Sequence, residues 1–332
     1  MQKSAGSEID FSDTDRLVKA AGQEGVSLLI TLWPYVEWDA TASEDRCTVE
    51  DGDPFSRDIG VYRCNPTDWD AYRAWVIAVV ERYDGDGIDD MEGLRVPVKH
   101  WEVMNEPDLA DPVAPDSPIR AGTPGPGEGS EDVRHPPVPT PPTPEGGSLR
   151  FYLGNASDYA ELLIRTNSAI KAADSDARTV IAGAAGGSDT FLDFYREVFE
   201  NEEARAAFDI GNVHCISNDY VSSFNAVPYR EMLGEFGLED RPFWVTEAEA
   251  FVSSDAAVTA TAIRRATQNA LDAGAERIFY TTPNFEQPAG GNEIPPLSAL
   301  DQTFANLAAD ADLSEAITQP DEVYARILAE FL

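Results

Sequence analysis

Short apolar runs with no polar face alternate along this chain with amphipathic stretches of helical spacing. That alternation limits the fold more than any other feature. Residues 26–33 (VSLLITLW), 98–105, 179–185, 208–217, 242–249 and 277–282 read as strands, and 13–23, 67–83, 157–173, 190–200, 229–237, 256–274 and 320–332 as helices. Thr67 or Asp68 and Ser157 are the predicted N-caps, and Gly237 and Gly274 the stops. A strand that is apolar on both sides must be covered on both sides, which is the condition of a parallel sheet with helices outside. Six such strands predict an α/β fold of the (β/α)8 TIM-barrel type. A full barrel needs eight strands, so two N-terminal β/α units are read as absent. A six-stranded open sheet is the alternative.

One segment has neither pattern. Residues 111–150 contain eleven prolines and several glycines, which cannot form a packed element. They read as a long insertion in a single barrel domain spanning 1–332, leaving the carboxyl end of the 98–105 strand, either as a wall of the site or as a passive excursion. The turn 183–188 (GAAGGS) lacks phosphate-binding glycine spacing and reads as a strand-to-helix connection.

Charge excludes whole classes of partner. Asp and Glu number 60 against 24 Lys and Arg, a net charge of −36 over 332 residues. Such a surface repels phosphate backbones and anionic lipid, so neither nucleic acid nor a membrane is expected as partner. Adaptation to strong salt, a halophilic protein, is the expected cause. No apolar run reaches the ~18 residues of a membrane span. The opening MQKSAGSEIDFSDTDRL has no apolar h-region and predicts no signal peptide on this chain; secretion would need a longer precursor.

The rare residues narrow the chemistry further. The three histidines, His100, His135 and His214, form no zinc-binding pair, and no G-x-S-x-G elbow occurs. Cys47 and Cys64 bracket one loop, either as a disulfide or as two thiols, and Cys215 in its apolar run reads as a buried small hydrophobe. Asp84-Gly-Asp86-Gly-Ile-Asp89-Asp90 alternates acidic oxygens around glycine in the manner of a calcium loop. Asp84, Asp86 and Asp90 are the candidate ligands of a structural calcium, and an acidic turn is the alternative. No cofactor is expected in the chemistry itself.

Carboxylates are what remain for catalysis. Two strands end in them: Trp101-Glu102-Val103-Met104-Asn105-Glu106-Pro107 and Phe243-Trp244-Val245-Thr246-Glu247-Ala248-Glu249. Alternation places Glu102, Met104 and Glu106 on one face, with Asn105 on the other or on the turn. Glutamates at the carboxyl ends of two barrel strands point into one mouth, where one can act as acid and the other as nucleophile.

The two motifs, WEVMNEP followed by WVTE, resemble the fourth- and seventh-strand motifs of the clan A glycoside hydrolases, the (β/α)8 clan of retaining glycosidases. The resemblance implies Glu106 as acid/base, Glu247 as nucleophile and Asn105 as partner of the sugar 2-hydroxyl. Glu249 is the fallback nucleophile, and Glu102 a buried structural partner. By the same resemblance Trp33, Tyr35 and Trp38 become aromatic sugar platforms, and His214 faces the sugar. The clan's Tyr two residues after that His is here Ile216, so Tyr220 is the substitute; its strand-eight Trp is replaced by Tyr280 or Phe285. The implied activity is retaining hydrolysis of a poly- or oligosaccharide. A non-catalytic carbohydrate-binding barrel or truncated pseudo-enzyme is the second reading, and a magnesium-dependent acidic barrel enzyme the third.

Overall fold

A computed structural model of the chain describes residues 2–40, 47–49, 60–109, 150–215, 218–248 and 256–280. Its six strands are Leu29–Leu32 (β1), His100–Val103 (β2), Arg178–Ile181 (β3), Gly211–Cys215 (β4), Phe243–Ala248 (β5) and Ala275–Tyr280 (β6). All pairings are parallel. β2 pairs β1 and β3, and β5 pairs β4 and β6. Parallel bridges Val180–Ile210 and Ala184–Val213 join the two triplets across β3 and β4. The Ile181 N–H donates to the Ile210 carbonyl and the His214 N–H to the Ala184 carbonyl. Strand order therefore equals chain order, the winding of a barrel; a doubly wound sheet would reverse it at a switch point. Among the described residues β1 and β6 each have one neighbour, so the barrel is open between them.

The helices cover the outer face: Ser12–Gln23 (α1), Glu37–Ala40 (α2), Trp69–Glu81 (α3), Ala156–Ala173 (α4), Asp189–Glu200 (α5), Glu202–Ala206 (α6), Ala226–Glu235 (α7) and Ala256–Asp272 (α8). The main apolar core lies between them and the sheet. A second, smaller cluster of Val180, Ile210 and Trp244, with Leu29 and Phe279 against it, fills the concave side. Trp244 reaches the His100 ring at 4.8 Å and the Phe279 ring at 5.7 Å. Side chains from β1, β2, β3, β5 and β6 meeting there is what a curled sheet requires.

Asp68 caps α3 by accepting from the Ala71 N–H, as expected. The predicted cap Ser157 is corrected. Asn155 caps α4 instead, in a reciprocal box with Asp158, because Asn155 is the residue with extended backbone and its side chain reaches the N3 amide. Gly237 and Gly274 adopt the left-handed backbone that ends a helix. Between Ile181 and Asp189 the chain is the expected strand-to-helix connection. The segments 110–149 and 281–332 lie outside the described residues, and with them the Pro-rich insertion, His135, Phe285 and the helix expected at 320–332.

Cys47 and Cys64 form a disulfide, and Cys215 is a buried free thiol. The bridge packs with Tyr62 against Tyr35 and Leu153. Next to it Arg63 is fully buried and is held by carbonyls: Nε and Nη2 donate to Gly60 O, and Nη1 to Arg150 O. Closing a loop of this size is worth about 3 kcal/mol in the chain-entropy account. A Cys47→Ala/Cys64→Ala protein should lose about that much unfolding free energy in a denaturant titration. Thiol alkylation should modify no cysteine in the native protein, one after unfolding, and three after unfolding with reductant. One reactive thiol before and three after unfolding without reductant would refute the bridge.

Candidate active site

Two strand ends build the site, and each departs from plain alternation at the residue that matters. β2 stops at Val103. Met104 and Glu106 then take positive φ, +73° and +41°, where L-residues are strained. Simple alternation, which put Glu102, Met104 and Glu106 on one face, is corrected by this turn. Met104 goes to the apolar core, Asn105 joins Glu102 in the open cleft, and Glu106 is carried inward to 1% exposure. On β5, the pairing slips between Val213 and His214: Val213 faces Val245, but His214 faces Glu247. This bulge lets Thr246 and Glu247 both reach the interior, where an unbroken strand would send them to opposite sides.

Tyrosines from three helices hold the backbone where the ladders end. The Tyr159 hydroxyl of α4 donates to Val103 O and accepts from the Ala182 N–H. Tyr195 of α5 donates to Ala182 O, and Tyr229 of α7 accepts from the Asn212 N–H. The strand ends need such partners because buried N–H and C=O groups cannot be left unpaired. Asn225, itself in the left-handed region, donates its Nδ2 to His214 O.

His214 is the hub. Its side chain is 1% exposed, with Nδ1 2.8 Å from Glu106 Oε1, Nε2 2.9 Å from Thr246 Oγ1, and Nδ1 3.7 Å from Glu247 Oε1. The ring lies directly on Gly183, where any Cβ would come within 2.1 Å of Nε2. Only glycine fits beneath the imidazole. Below the hub, Asn212 Nδ2 donates to Glu102 Oε1 at 2.6 Å and accepts at Oδ1 from the Thr246 hydroxyl at 2.8 Å. Thr31 Oγ1 donates to Glu102 Oε2 at 2.5 Å. Thr31, Glu102, Asn212, Thr246, His214 and Glu106 thus form one continuous chain of hydrogen bonds.

Burial pushes the Glu102 carboxyl up to about 7; His214 and the Thr31 hydroxyl pull it down, and Glu247 raises it. Asp108 is driven well above the usual carboxylate range, by burial first and by Glu106 second. Its Oδ2 accepts from the Ala185 N–H at 2.9 Å.

A cleft of about 420 Å³ opens over these groups, lined by Val26, Leu29, Thr31, Glu102, Asn105, Thr246, Glu247 and Phe279 among others. It occupies the gap between β1 and β6. Glu106, His214 and Glu247 offer oxygen and nitrogen atoms that all lie within 4.8 Å of one another. Of the sequence candidates, Glu106, Glu247, Asn105 and His214 are therefore brought together. Glu102, expected as a buried structural partner, lies at the cleft floor.

The aromatic candidates sit elsewhere. Trp33 packs on Tyr35 and Phe151, and Trp38 lies half-buried in α2. Tyr220 is exposed beside Gly187. Tyr280 is corrected: its hydroxyl meets Thr267 of α8 and its ring meets Phe224, because alternation along β6 turns it to the helix layer and gives the cleft Phe279. Glu249 and Ile216 lie outside the described residues. The sequence reading missed Thr31, Asn212, Thr246, Gly183 and Phe279. Asn212 did carry a signal, as a lone polar residue two places before His214 on an apolar strand.

Asp84, Asp86 and Asp90 also come together within 4.8 Å. The turn satisfies them internally, Asp90 accepting from the Gly85 and Gly87 amides, Asp84 from Asp86 and Asp86 from Ile88. No helix among the described residues is long and apolar enough to cross a membrane.

Among proteins of known structure, the chain is similar to a glucosidase from Croceicoccus marinus, with a TM-score of 0.50 and 14% identity over 82% of this chain and 46% of that one. It is also similar to a family 39 glycoside hydrolase from Bacteroides cellulosilyticus WH2 (TM-score 0.47, 16% identity, 84% and 48%) and to an endo-1,4-beta-mannanase from Rhizomucor miehei (0.47, 12%, 81% and 67%). At this level of identity the likeness to the glucosidase is one of fold. No protein-family model matches the sequence, and no curated protein does. The chain spans about half the length of the first two structures.

Within this site, Glu102 should leave a thermodynamic trace. Its folded value near 7 lies above the ordinary 4.5. Its contribution to stability is therefore fully present below pH 4.5 and is lost as pH rises through 7. Relative to Glu102→Gln, the wild type should lose about 3 kcal/mol between those pH values, at about 1.4 kcal/mol per unit. Urea unfolding of both proteins across pH 4–8 measures the difference; parallel curves would show that Glu102 does not titrate there.

Proposed function

We propose that this chain is a retaining glycoside hydrolase acting on O-glycosidic bonds of a poly- or oligosaccharide, with Glu106 as acid/base and Glu247 as nucleophile. The observation that carries the reading is the approach of the two carboxylates. Their nearest oxygens lie within 4.8 Å. Retaining enzymes place the carboxyl groups ~5–5.5 Å apart, and inverting enzymes hold them ~6.5–9.5 Å apart to admit a water.

The environments differ as the two roles require. Glu106 is buried against His214. The Glu247 side chain is 32% exposed and opens on the cleft. In the first step Glu106 gives its proton to the glycosidic oxygen while Glu247 attacks the anomeric carbon. The C–O bond to the leaving group breaks and a glycosyl–Glu247 ester forms. In the second, Glu106 takes a proton from water, whose oxygen displaces Glu247 from the same carbon. In this reading Asn105, which lines the cleft with Glu247, binds a sugar hydroxyl.

A second reading has its own support. The cleft lies in the gap between β1 and β6, and the chain covers 46% of the glucosidase it resembles. A barrel of this form can bind sugar without turning it over.

Reducing-sugar release from β-linked polysaccharides and aryl glycosides, in dilute buffer and in molar salt, separates the two. Glu106→Gln should lower turnover about 10²–10⁴-fold, the usual worth of a general acid/base, and Glu247→Gln should abolish it. NMR of the first-formed product should show the anomeric configuration of the substrate. Inverted product would overturn the mechanism. Sugar binding by folded protein, with no turnover in any salt, would establish the second reading.

A further inference from the structure

Glu102 touches neither of the two proposed reacting carboxylates, yet it stands at the far end of the hydrogen-bond chain that ends on one of them. We propose that Glu102 is a positioning residue that acts through Asn212 and Thr246 to fix the tautomer of His214, and so the proton on Glu106. The proposal rests on the glycosidase reading for its kinetic consequence, but not for its structural content.

Each link follows from the donors and acceptors present. An ionised carboxylate only accepts, so Glu102 Oε1 obliges Asn212 to face it with Nδ2, 2.6 Å away. Asn212 is fully buried, and its Oδ1 is then turned to Thr246. The single Thr246 hydroxyl proton goes to that oxygen, at 2.8 Å. Thr246 Oγ1 is left as an acceptor towards His214, so Nε2 carries a hydrogen across the 2.9 Å contact. With Nε2 protonated, the 2.8 Å contact between Nδ1 and Glu106 Oε1 holds one proton. Either His214 is neutral and Glu106 is the acid, or the imidazole is a cation beside a carboxylate. The remaining arrangement, a neutral Nδ1–H donating to an ionised Glu106, is the one that deprives the site of its acid. It requires Thr246 to donate to Nε2 and Asn212 to turn over. The charge on Glu102 opposes that reversal.

The groups facing Glu102 are Thr31 from β1, Asn212 and His214 from β4, Glu247 from β5, Tyr159 from α4 and the Gly183 backbone. His214 stabilises its charge and Glu247 opposes it. Glu106 itself faces His214, Glu247, Asp108 and Tyr195. Burial places the ionisation of Glu102 in the neutral range, so the device is set above that point and released below it.

The test reads the tautomer directly. The chain has three histidines, and His100→Gln and His135→Gln variants assign the His214 ring nitrogens in a 15N NMR spectrum. In wild type above neutral pH, Nε2 should be the protonated, pyrrole-type nitrogen. In Glu102→Met the acceptor is gone, and the Nδ1–H tautomer should appear. Thr246→Val, which cuts the chain at a different link, should release the tautomer in the same way, while Thr246→Ser should keep it.

In turnover, Glu102→Met should move the alkaline limb of the pH profile down by about one unit, through loss of the proton from Glu106. Charge removal alone would move that limb without exchanging the nitrogen signals. Wild-type His214 found as Nδ1–H, or signals unchanged in both Glu102→Met and Thr246→Val, would overturn the proposal. Absence of turnover in wild type would instead count against the glycosidase reading, and the NMR result would stand by itself.

Discussion

The imidazole of His214 is the fixed point on which the site depends. It is buried, polar at two corners and pressed against a residue with no side chain. A ring so placed has to be hydrogen-bonded at both nitrogens, since leaving one unmet in a dry interior costs about 1–3 kcal/mol. That demand reaches outward. Glu106 has to turn inward to meet Nδ1, which the chain achieves by accepting positive φ at Met104 and Glu106. Thr246 has to meet Nε2, which the bulge on β5 allows. The backbone irregularities at the two strand ends are thus two answers to one requirement.

The helices contribute more than cover. Tyr159, Tyr195 and Tyr229 reach through the apolar layer and end on backbone groups of β2, the β3–β4 connection and β4. Each sits within a residue or two of the places where the ladder gives way to the site. Burial holds all three hydroxyls protonated. The strand ends are therefore anchored from behind by rigid aromatic struts, and the side chains in front inherit that precision.

Much of this was legible in the sequence. Apolar runs of strand length gave the order of elements, because parallel strands covered on both faces leave no other pattern. The two acidic strand ends pointed to the site, and Asn105, Glu106, His214 and Glu247 do converge. What escaped was everything set by departures from regular geometry. Period-two reasoning put Glu102, Met104 and Glu106 on one face, and the left-handed backbone at Met104 and Glu106 undoes that. The resemblance offered Tyr280 or Phe285, and it took no account of the face of β6 that brings Phe279 to the cleft. Gly183 looked like an ordinary turn glycine, for its reason lies in a ring thirty-one positions away. Thr31 and Asn212 each look unremarkable alone, and their role exists only between strands.

The anchoring around Arg63 has a consequence for how such a protein can change. Chain leaves the site at Leu109, whose N–H is held by Glu106 O, and returns at Arg150, whose carbonyl is held by Arg63. Leu153 and Phe151 are then tied to Arg63 O and to the Tyr35 hydroxyl. Both ends of the forty-residue stretch between are clamped independently of what that stretch contains. Closing a longer flexible loop between fixed ends adds only about 0.6 kcal/mol per doubling of length. The position of Glu106 is therefore tied at both of these ends to the packed core, through the Leu109 amide and the buried Arg63.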